Sequence, residues 1–346
     1  MLGIVADQVS AGVRQMCCRV AIAQGGFKRA SQHLEHLAQI RISTERLRQI
    51  SEQEGQRVVT AQSQGQVAVS FTLEQAKVSV GGPTRIYVGA DGVKVPMVTA
   101  SEKANRRARR GPKRPGSRRR QMHRGADNAY KEFKIATFYE ESNEHRQVLA
   151  TAGDHEQIGR MIRREAKRLG FNRFDQKLGL GDGADWILRQ LGINLPTLDQ
   201  FILDFYHFSE HVWSASNACW GLASDAARSL AEDLLHKARH EGAAAVLLAL
   251  GEQCRKHRRG RKRQALQELI AYLVKRASHC EYPQYRSQGW QIGSGPTEAM
   301  CKVLTYRLKG AGMRWDRQGA EPIMVLIALE QSGTWENYWK GQVKAA

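Results

Sequence analysis

The sequence lacks spaced cysteine pairs, long apolar runs and any excess of acidic residues, and each absence narrows the class of protein. Its six cysteines show no C-x-x-C pair and no framework typical of disulfide-rich secreted domains, which favours a reducing compartment. No stretch is apolar for long enough to cross a bilayer. No N-terminal secretory signal, which would consist of a basic flank and an apolar core, is visible. We therefore expect a cytoplasmic protein with no membrane partner.

Positive charge is abundant and concentrated. The 53 lysines and arginines exceed the 34 aspartates and glutamates, which gives a formal net charge of +19. Residues 102–124 hold eleven basic residues and one acid, and residues 255–263 hold seven basic residues and no acid. The rest of the chain is close to neutral. Such runs are either solvated loops or contacts to a polyanion such as DNA, where each neutralised phosphate releases counterions.

Three acidic residues stand at positions that favour metal binding. Asp91 and Asp182 each end an apolar segment typical of a strand, and a glycine follows each. Glu298 lies in the first turn of a predicted helix, because a preceding Gly-Pro pair suits a helix start. Each acid alone is more often a turn residue or a helix-dipole partner. As an ordered set they predict ligands for two hard cations, which serve in-line phosphoryl displacement.

These motifs resemble the DDE transposases of bacterial insertion sequences, in particular the ISKra type, which is similar to the Mutator-like transposases. The resemblance extends from about residue 9 to the C-terminus. Besides Asp91-Gly92, it is carried by GDGADWI at 181–187, LDFYH at 203–207, GSGPTE at 293–298 and RLKGAGMRW at 307–315. The last of these motifs is long enough to be specific.

The resemblance implies an α/β fold of the ribonuclease H-like type, with a mixed sheet, flanking helices, a helical N-terminal region and an all-helical insertion. It implies that Asp91, Asp182 and Glu298 bind two Mg²⁺ or Mn²⁺ ions. Asp204 and His207 match the (Cys/Asp)-x-x-His signature of Mutator-like enzymes, which makes them further catalytic candidates. The implied activity is metal-dependent cleavage at element ends and transfer of the freed 3′-hydroxyl into target DNA.

Two other functions stay open at this point. One is a ribonuclease H-like DNA nuclease that does not join strands, and the other is a truncated, non-catalytic DNA-binding remnant. For the transposase we expect DNA, as element ends and as target, to be the partner. We also expect a homo-oligomer on DNA in the bacterial cytoplasm, associated with the nucleoid.

The expected DNA contacts lie in the two basic runs and in the C-terminal motif. The first run leaves the sheet beside Asp91, which predicts positive charge near the active centre. The candidates are Arg106, Arg107, Arg109, Arg110, Lys113, Arg114, Arg118, Arg119, Arg120, Arg258, Arg259, Arg261, Lys262, Arg263, Arg307, Lys309 and Arg314.

The domain organisation follows from changes in periodicity. Residues 1–80 form the predicted helical N-terminal region, with helices at 9–23, 27–38 and 44–59. The second and third of these form either a helix-turn-helix or a plain helical hairpin, and Ser43 or Thr44 caps the third. Residues 81–213 are the first part of the catalytic core, 214–282 the helical insertion, and 283–346 the C-terminal helices that carry Glu298.

Strands are predicted in the core at 86–90, 131–139, 145–150, before Asp182 and at 201–207. Residues 155–169 and 185–191 are predicted helices. Within the insertion, 225–250 and 264–279 are helical by pattern, and the basic residues 255–263 form a hinge between them.

Asp204 and His207 need a particular backbone to act together. In a strand, positions three apart face opposite sides, so the two share a site only if the strand ends between them. His207 either contacts a phosphate near the scissile bond or satisfies a buried acceptor, and we favour the first. His211 is interpreted as an ordinary helix residue. Asp185 is an alternative ligand one turn after Asp182, but the strand end favours Asp182.

One feature departs from the family pattern. Relatives of this type generally carry a cysteine-rich, zinc-binding segment before the helical region, and this chain shows none. Cys17 and Cys18 are adjacent and do not replace it, because a zinc ribbon needs spaced pairs. A truncated element and an internal start both account for the difference. We expect catalysis to survive and specific recognition of element ends to suffer.

Overall fold

A computed structural model describes residues 9–23, 25–108, 128–257, 259–310 and 313–344. The chain divides into two compact units. The first comprises Met1–Ile86, Ala90–Asp175 and Pro296–Ala346, and the second comprises Tyr87–Gly89 and Gln176–Gly295. The predicted α/β class is confirmed, because helices combine with a five-stranded mixed sheet.

The elements of the described residues follow in chain order. The helices are α1 (Ala11–Ala23), α2 (Phe27–Ala38), α3 (Thr44–Ser63), α4 (Ala100–Ala108), α5 (His155–Leu169), α6 (Asp185–Asn194), α7 (Phe205–Trp220), α8 (Asp225–His240), α9 (Ala243–Lys256), α10 (Arg261–Val274), α11 (Tyr282–Ser287), α12 (Gly295–Tyr306), α13 (Arg317–Gln331) and α14 (Trp335–Lys344). The strands are β1 (Arg85–Met97), β2 (Asn128–Tyr139), β3 (Arg146–Thr151), β4 (Gln176–Gly181) and β5 (Gln200–Leu203).

The sheet has the strand order β3-β2-β1-β4-β5. β2 and β3 are antiparallel, with Lys134 opposite Thr151 at one end of the pairing. β4 and β5 are parallel, with Gly181 opposite Leu203 at the end that leads into Asp182. The sheet is therefore mixed, as predicted.

The N-terminal helices form where the sequence predicts them. Ser43 caps α3, because its Oγ accepts a hydrogen bond from the Arg46 N–H at 3.2 Å. α3 continues to Ser63, beyond its predicted end at Val59. One face of α3 packs against α13, so this helix joins the N-terminal region to the core of the first unit.

The core of the first unit is built around α13. Residues 323–329 of this helix are all buried, and the helix contacts α3 on one side and β3 on another. A helix that is apolar all round belongs in the interior. The crossing with α3 is close, because a Cβ at Gly55 would overlap the backbone of Pro322. Glycine at position 55 therefore permits the main packing contact of the unit.

The first predicted strand is longer than expected. β1 does not end at Asp91 but continues to Met97, so Asp91 lies inside a strand. The physical reason is the alternation after Gly92, where Val93, Val95 and Met97 are buried in turn. Period-two burial sustains strand pairing and overrides the turn tendency of the Asp-Gly pair.

The last predicted strand is shorter than expected, and the strand assignment of 204–207 is wrong. β5 ends at Leu203, and α7 begins at Phe205. Asp204 stands between them as the helix N-cap. The predicted insertion boundary at 214 consequently falls inside α7, which runs without a break to Trp220.

The helices α7 to α11 belong to the same compact unit as β4 and β5. Gln200 Nε2 donates to the Ser278 carbonyl at 3.1 Å, and the rings of Phe201 and His279 lie 5.3 Å apart. The basic run 255–263 is not a hinge as a whole, because α9 includes its start and α10 its end.

All six cysteines are buried and unpaired. Within the described part of the chain, no helix is long and apolar enough to cross a membrane.

Candidate active site

Two of the three predicted metal ligands, Asp91 and Glu298, lie in the first unit, and both raise the pKa of the same buried thiol. Asp91 lies on β1, and Glu298 lies in the first turn of α12. Cys301, one turn further along α12, is 7% exposed and hydrogen-bonds the Asp91 carboxyl group. Burial raises the pKa of the Cys301 thiol most, and the charges of Asp91 and Glu298 raise it further. The two carboxylates thus share a region of negative potential.

The start of α12 explains the exposure of Glu298. Gly295 and Pro296 begin the helix, as predicted, and the helix buries Met300, Cys301 and Leu304 on its core face. Glu298 faces solvent instead. A carboxylate in the first turn is also favoured by the helix dipole. The residue is therefore accessible and held on a rigid element.

A further acid, which sequence reasoning missed, lies against Gly92, the residue after Asp91 on β1. The Glu132 carboxylate on β2 occupies the space that a Cβ at Gly92 would need. Its other oxygen lies 2.8 Å from the ammonium of Lys134, which is buried. Gly92 therefore lies within β1 and leaves room for the Glu132 carboxylate, and it does not form a turn. No motif in the sequence pointed to Glu132.

Asp182 follows β4 directly, as predicted, and its carboxylate is oriented by the backbone. Asp182 Oδ1 accepts from the Ala184 N–H at 2.8 Å. Gly183 has a φ of +71°, and a Cβ there would lie 2.7 Å from the Leu203 side chain and 3.0 Å from Arg276 Nε. Only glycine fits this turn without strain. The Asp182–Gly183 turn is thus closely packed on two sides.

Asp204 is a structural cross-link as well as a helix cap. It is 1% exposed, and its Oδ1 accepts from the His207 N–H at 2.6 Å. Its Oδ2 accepts from the Ser294 N–H, and its own N–H donates to the Gly181 carbonyl at 2.8 Å. The Asp204 carboxylate therefore links the start of α7 to the segment before α12, whereas its contact with Gly181 is made by the backbone alone.

His207 and His211 lie one turn apart on α7. The His207 side chain is 34% exposed, and its Nδ1 lies 3.6 Å from Glu210 Oε2. Its ring meets the His211 ring edge-to-face at 5.0 Å. His211 lies within α7, in agreement with its interpretation as a helix residue, and its ring stacks on that of Tyr272 at a centroid distance of 3.9 Å. Burial lowers the pKa of His211, and the charges of His207 and Arg276 lower it further.

Many predicted DNA contacts of the first basic run fall outside the described residues. Arg106 and Arg107 belong to α4, which the sequence predicted as part of a loop. The candidates outside the described residues are Arg109, Arg110, Lys113, Arg114, Arg118, Arg119, Arg120 and, from the second run, Arg258.

The second basic run forms what we call the α10 basic end, residues 259–263. Arg259 and Arg261 are exposed. The Lys262 ammonium lies 5.0 Å from the centroid of the Trp220 ring, and Arg263 Nη1 donates to the Cys254 carbonyl at 2.6 Å. Arg263 therefore stabilises the end of α9, whereas the two exposed arginines face solvent.

Arg307 does not match its predicted role as a DNA contact. It is 3% exposed, and its Nε donates to the Ala21 carbonyl at 2.8 Å. Its guanidinium lies over the rings of Phe27 and Trp315 at 4.6 and 5.1 Å. Burial lowers its pKa to about 10. Arg307 thus joins α1 to the C-terminal motif, and a duplex does not reach it in this arrangement.

The two remaining C-terminal candidates differ from each other. Lys309 is exposed, as a phosphate contact requires. Arg314 is partly buried, and its Nη1 lies 3.6 Å from Glu102 Oε1. The Glu102 charge offsets part of the positive charge of Arg314.

The donor chemistry of the candidate ligands bears on the predicted metal ions. Carboxylate oxygens suit Mg²⁺ and Mn²⁺, and Asp91, Asp182 and Glu298 supply them. Within the described ranges, no group of three or more His, Cys, Asp or Glu side chains is arranged to hold an ion. The residues therefore fit the ions in donor type, with Asp91 and Glu298 in one unit.

The chain belongs to the uncharacterised protein family UPF0236, whose family profile matches residues 2–342. The match covers nearly the whole chain and includes every candidate site residue. No protein of curated function matches the chain.

Proposed function

We propose that the protein is a DNA transposase of the DDE type with a ribonuclease H-like catalytic core. It cleaves DNA at the ends of a mobile element and transfers the freed 3′-hydroxyl into target DNA. The observation that supports the proposal is the position of Cys301, which hydrogen-bonds Asp91 and lies one turn after Glu298 on α12. These acids lie far apart in the sequence, and the resemblance named both as ligands.

Two Mg²⁺ or Mn²⁺ ions are the proposed cofactors, with Asp91, Asp182 and Glu298 as ligands. When bound, such ions activate the attacking oxygen and stabilise the leaving oxygen of a phosphoryl transfer. The chain's own residues prepare this chemistry. The Cys301 thiol hydrogen-bonds Asp91 and thereby orients that carboxylate.

DNA is the proposed partner, as element ends and as target. The net charge of +19 and its concentration in two runs support this choice. A homo-oligomer on DNA in the bacterial cytoplasm completes the proposal.

The activity is tested by incubating the protein with a labelled oligonucleotide that ends in a 3′-hydroxyl, a supercoiled plasmid and Mg²⁺. We expect covalent joining of the label to the plasmid. Cleavage without joining would instead indicate a nuclease, and DNA binding without either reaction would indicate a non-catalytic remnant. The triple variant Asp91→Asn, Asp182→Asn, Glu298→Gln is the matched control for contaminating nuclease.

The exposed basic residues are expected to set the salt dependence of DNA binding. Replacing Arg259 and Arg261 by Gln should weaken binding to all sequences about equally, because phosphate contacts carry no sequence information. The slope of log affinity against log salt should fall by about 0.9 for each duplex phosphate that the variant no longer neutralises. A salt titration of binding to two unrelated duplexes measures both effects.

The same replacement in the first basic run, residues 102–124, should reduce cleavage more than replacement at the α10 basic end. The first run follows β1 and is therefore close in sequence to Asp91.

Arg307→Gln should destabilise the protein and leave the slope of log affinity against log salt unchanged, since this residue is buried. An unchanged slope in both basic-run variants would mean that DNA binds elsewhere.

His207→Ala is expected to slow cleavage by about 10- to 100-fold, in the range found for groups that support metal ligands. Alanine keeps the backbone N–H that donates to Asp204, so the change isolates the imidazole ring. The measurement is the single-turnover rate per folded molecule, together with a melting curve. A variant that is less stable but fully active per folded molecule would make His207 a structural histidine.

A further inference from the structure

The helices of the second unit contact the Asp182–Gly183 turn through one side chain. Arg276, just beyond α10, donates from Nη2 to the Gly183 carbonyl at 3.0 Å. Its guanidinium also lies over the Tyr272 ring, 4.4 Å from the centroid. A planar cation suits both tasks, since it stacks on a ring and donates in its own plane.

Tyr272 connects this guanidinium to α7. Its ring stacks on His211 at a centroid distance of 3.9 Å and an interplanar angle of 23°. His211 in turn meets His207 at 5.0 Å. We call His207, His211, Tyr272 and Arg276 the ring stack. It links the candidate histidine on α7 to the turn that presents Asp182.

The Asp182–Gly183 turn has little freedom while the ring stack is intact. Gly183 adopts a left-handed backbone conformation, with Leu203 on one side and the Arg276 side chain on the other. The Ala184 N–H is then directed at Asp182 Oδ1. Removal of the Arg276 side chain would take away one wall of the turn and the hydrogen bond to its carbonyl.

Electrostatics agree with this proximity. Burial raises the pKa of the Tyr272 hydroxyl, Arg276 lowers it, and the charges of Asp182 and Asp204 raise it. Both carboxylates therefore raise the pKa of the tyrosine on which Arg276 stacks. The positive charge of Arg276 also offsets the cost of holding two carboxylates in this region.

We propose that Arg276 is a positioning residue, which fixes the Asp182 carboxylate for metal binding by holding the Gly183 carbonyl. The effect on cleavage rests on the proposed function, in which Asp182 is a metal ligand. The effect on the turn does not rest on it. Residues after the basic end of α10 thereby contribute to catalysis without touching DNA or metal.

The test compares Arg276→Ala and Arg276→Lys with wild type and with Arg286→Ala. Arg286 is a matched control, because it is exposed, lies in the same unit and donates to a backbone carbonyl, that of Arg239, at 3.3 Å. The first readout is amide hydrogen exchange of the peptide covering 182–185 in metal-free protein. The second is the Mg²⁺ concentration that gives half-maximal cleavage.

Arg276→Ala should speed exchange at the Ala184 amide by about tenfold, as expected for loss of a hydrogen bond to a charged group. It should also raise the half-maximal Mg²⁺ concentration while metal-free DNA affinity stays unchanged. Both readouts for Arg276→Lys should lie between those of wild type and Arg276→Ala, because lysine keeps the positive charge but not the planar guanidinium. Tyr272→Leu, which removes the stacking surface, should resemble Arg276→Ala.

Exchange and Mg²⁺ dependence equal to wild type in Arg276→Ala would overturn the inference. A lysine variant equal to arginine in both readouts would overturn it too, since the geometry of the guanidinium would then be irrelevant. If Arg276→Ala does not fold, the lysine and Tyr272→Leu variants decide by the same two measurements. If wild type lacks metal-dependent cleavage, the proposed function fails, and exchange alone decides the role of Arg276.

Discussion

Asp91→Asn, Asp182→Asn and Glu298→Gln are each expected to abolish metal-dependent DNA cleavage. The loss should be about 10³-fold or more, because a catalytic metal ion supplies several kcal/mol and about 1.4 kcal/mol corresponds to a factor of ten. Each substitution keeps the size of the side chain and removes one ligand charge. DNA affinity without metal should stay near that of wild type, since every phosphate-contacting cation is retained.

The control for this prediction is Asp185→Asn. Asp185 is exposed at the start of α6, one turn after Asp182, and should keep most of the activity. Rates are measured under single-turnover conditions across a Mg²⁺ and Mn²⁺ titration. Near-normal cleavage by any one triad variant would remove that residue from the ligand set. Loss of activity in Asp185→Asn with retention in Asp182→Asn would exchange the two assignments.

Glu132 was not part of the predicted set, yet its carboxylate lies against Gly92. Lys134 balances part of its charge at 2.8 Å. This ion pair distinguishes Glu132 from Asp91, whose carboxyl group hydrogen-bonds the Cys301 thiol. A charged partner of this kind reduces the attraction of a carboxylate for a metal ion, so Glu132 is not counted among the ligands.

The helices that the sequence predicted well have start signals within a few residues of their first turn. Ser43 caps α3 and Asp154 caps α5, where its Oδ1 accepts from the Gln157 N–H at 2.8 Å. The Gly-Pro pair at the start of α12 is equally local. Such signals depend on one turn of chain, so a single sequence contains them.

The two strand errors arose where local signals conflict. The Asp-Gly pair at 91–92 favours a turn, but buried alternation after it extends β1. The segment 201–207 is a short apolar run, which by periodicity alone fits a strand or a buried helix. Asp204 ends the strand and begins α7, because its carboxylate caps the helix by accepting a hydrogen bond from the His207 N–H.

The candidate site likewise contains a residue that a local sequence pattern predicts and contacts that only tertiary packing brings about. Asp182 could be predicted because a strand end followed by glycine is a local pattern. The Cys301 contact with Asp91 and the Arg276 contact with Gly183 could not, because both depend on tertiary packing. Arg276 and Gly183 are 93 positions apart in the chain, and the pattern around either one gives no sign of the other.

Glu54→Gln is expected to destabilise the protein by about 3–5 kcal/mol, the usual loss when one partner of a buried ion pair is removed. Glu54 on α3 is fully buried, and its carboxylate accepts from the Tyr338 hydroxyl at 2.8 Å and from Arg57 at 2.7 Å. Arg14 on α1 places Nε 3.3 Å from the same carboxylate and is 4% exposed. This carboxylate therefore joins α1, α3 and α14.

Glutamine preserves the shape of residue 54 and an oxygen for Tyr338, so the change removes charge with little effect on packing. The Arg14 guanidinium would then lie buried without a counter-charge beside it, which is the costly state. Urea unfolding followed by circular dichroism measures the destabilisation. Glu45→Gln is the control, because that exposed pair with Arg48 should contribute little.

A second substitution identifies the cause of the Glu54→Gln effect. Arg14→Met in the Glu54→Gln background removes the unpaired charge and keeps an apolar side chain of similar length. If the unpaired guanidinium is the source of the destabilisation, the double variant should be more stable than Glu54→Gln alone, with a coupling of about 0.5–3 kcal/mol in the double-mutant cycle. Strictly additive effects would show that Arg14 and Glu54 are independent, and that the hydrogen bonds of Tyr338 and Arg57 carry the stability.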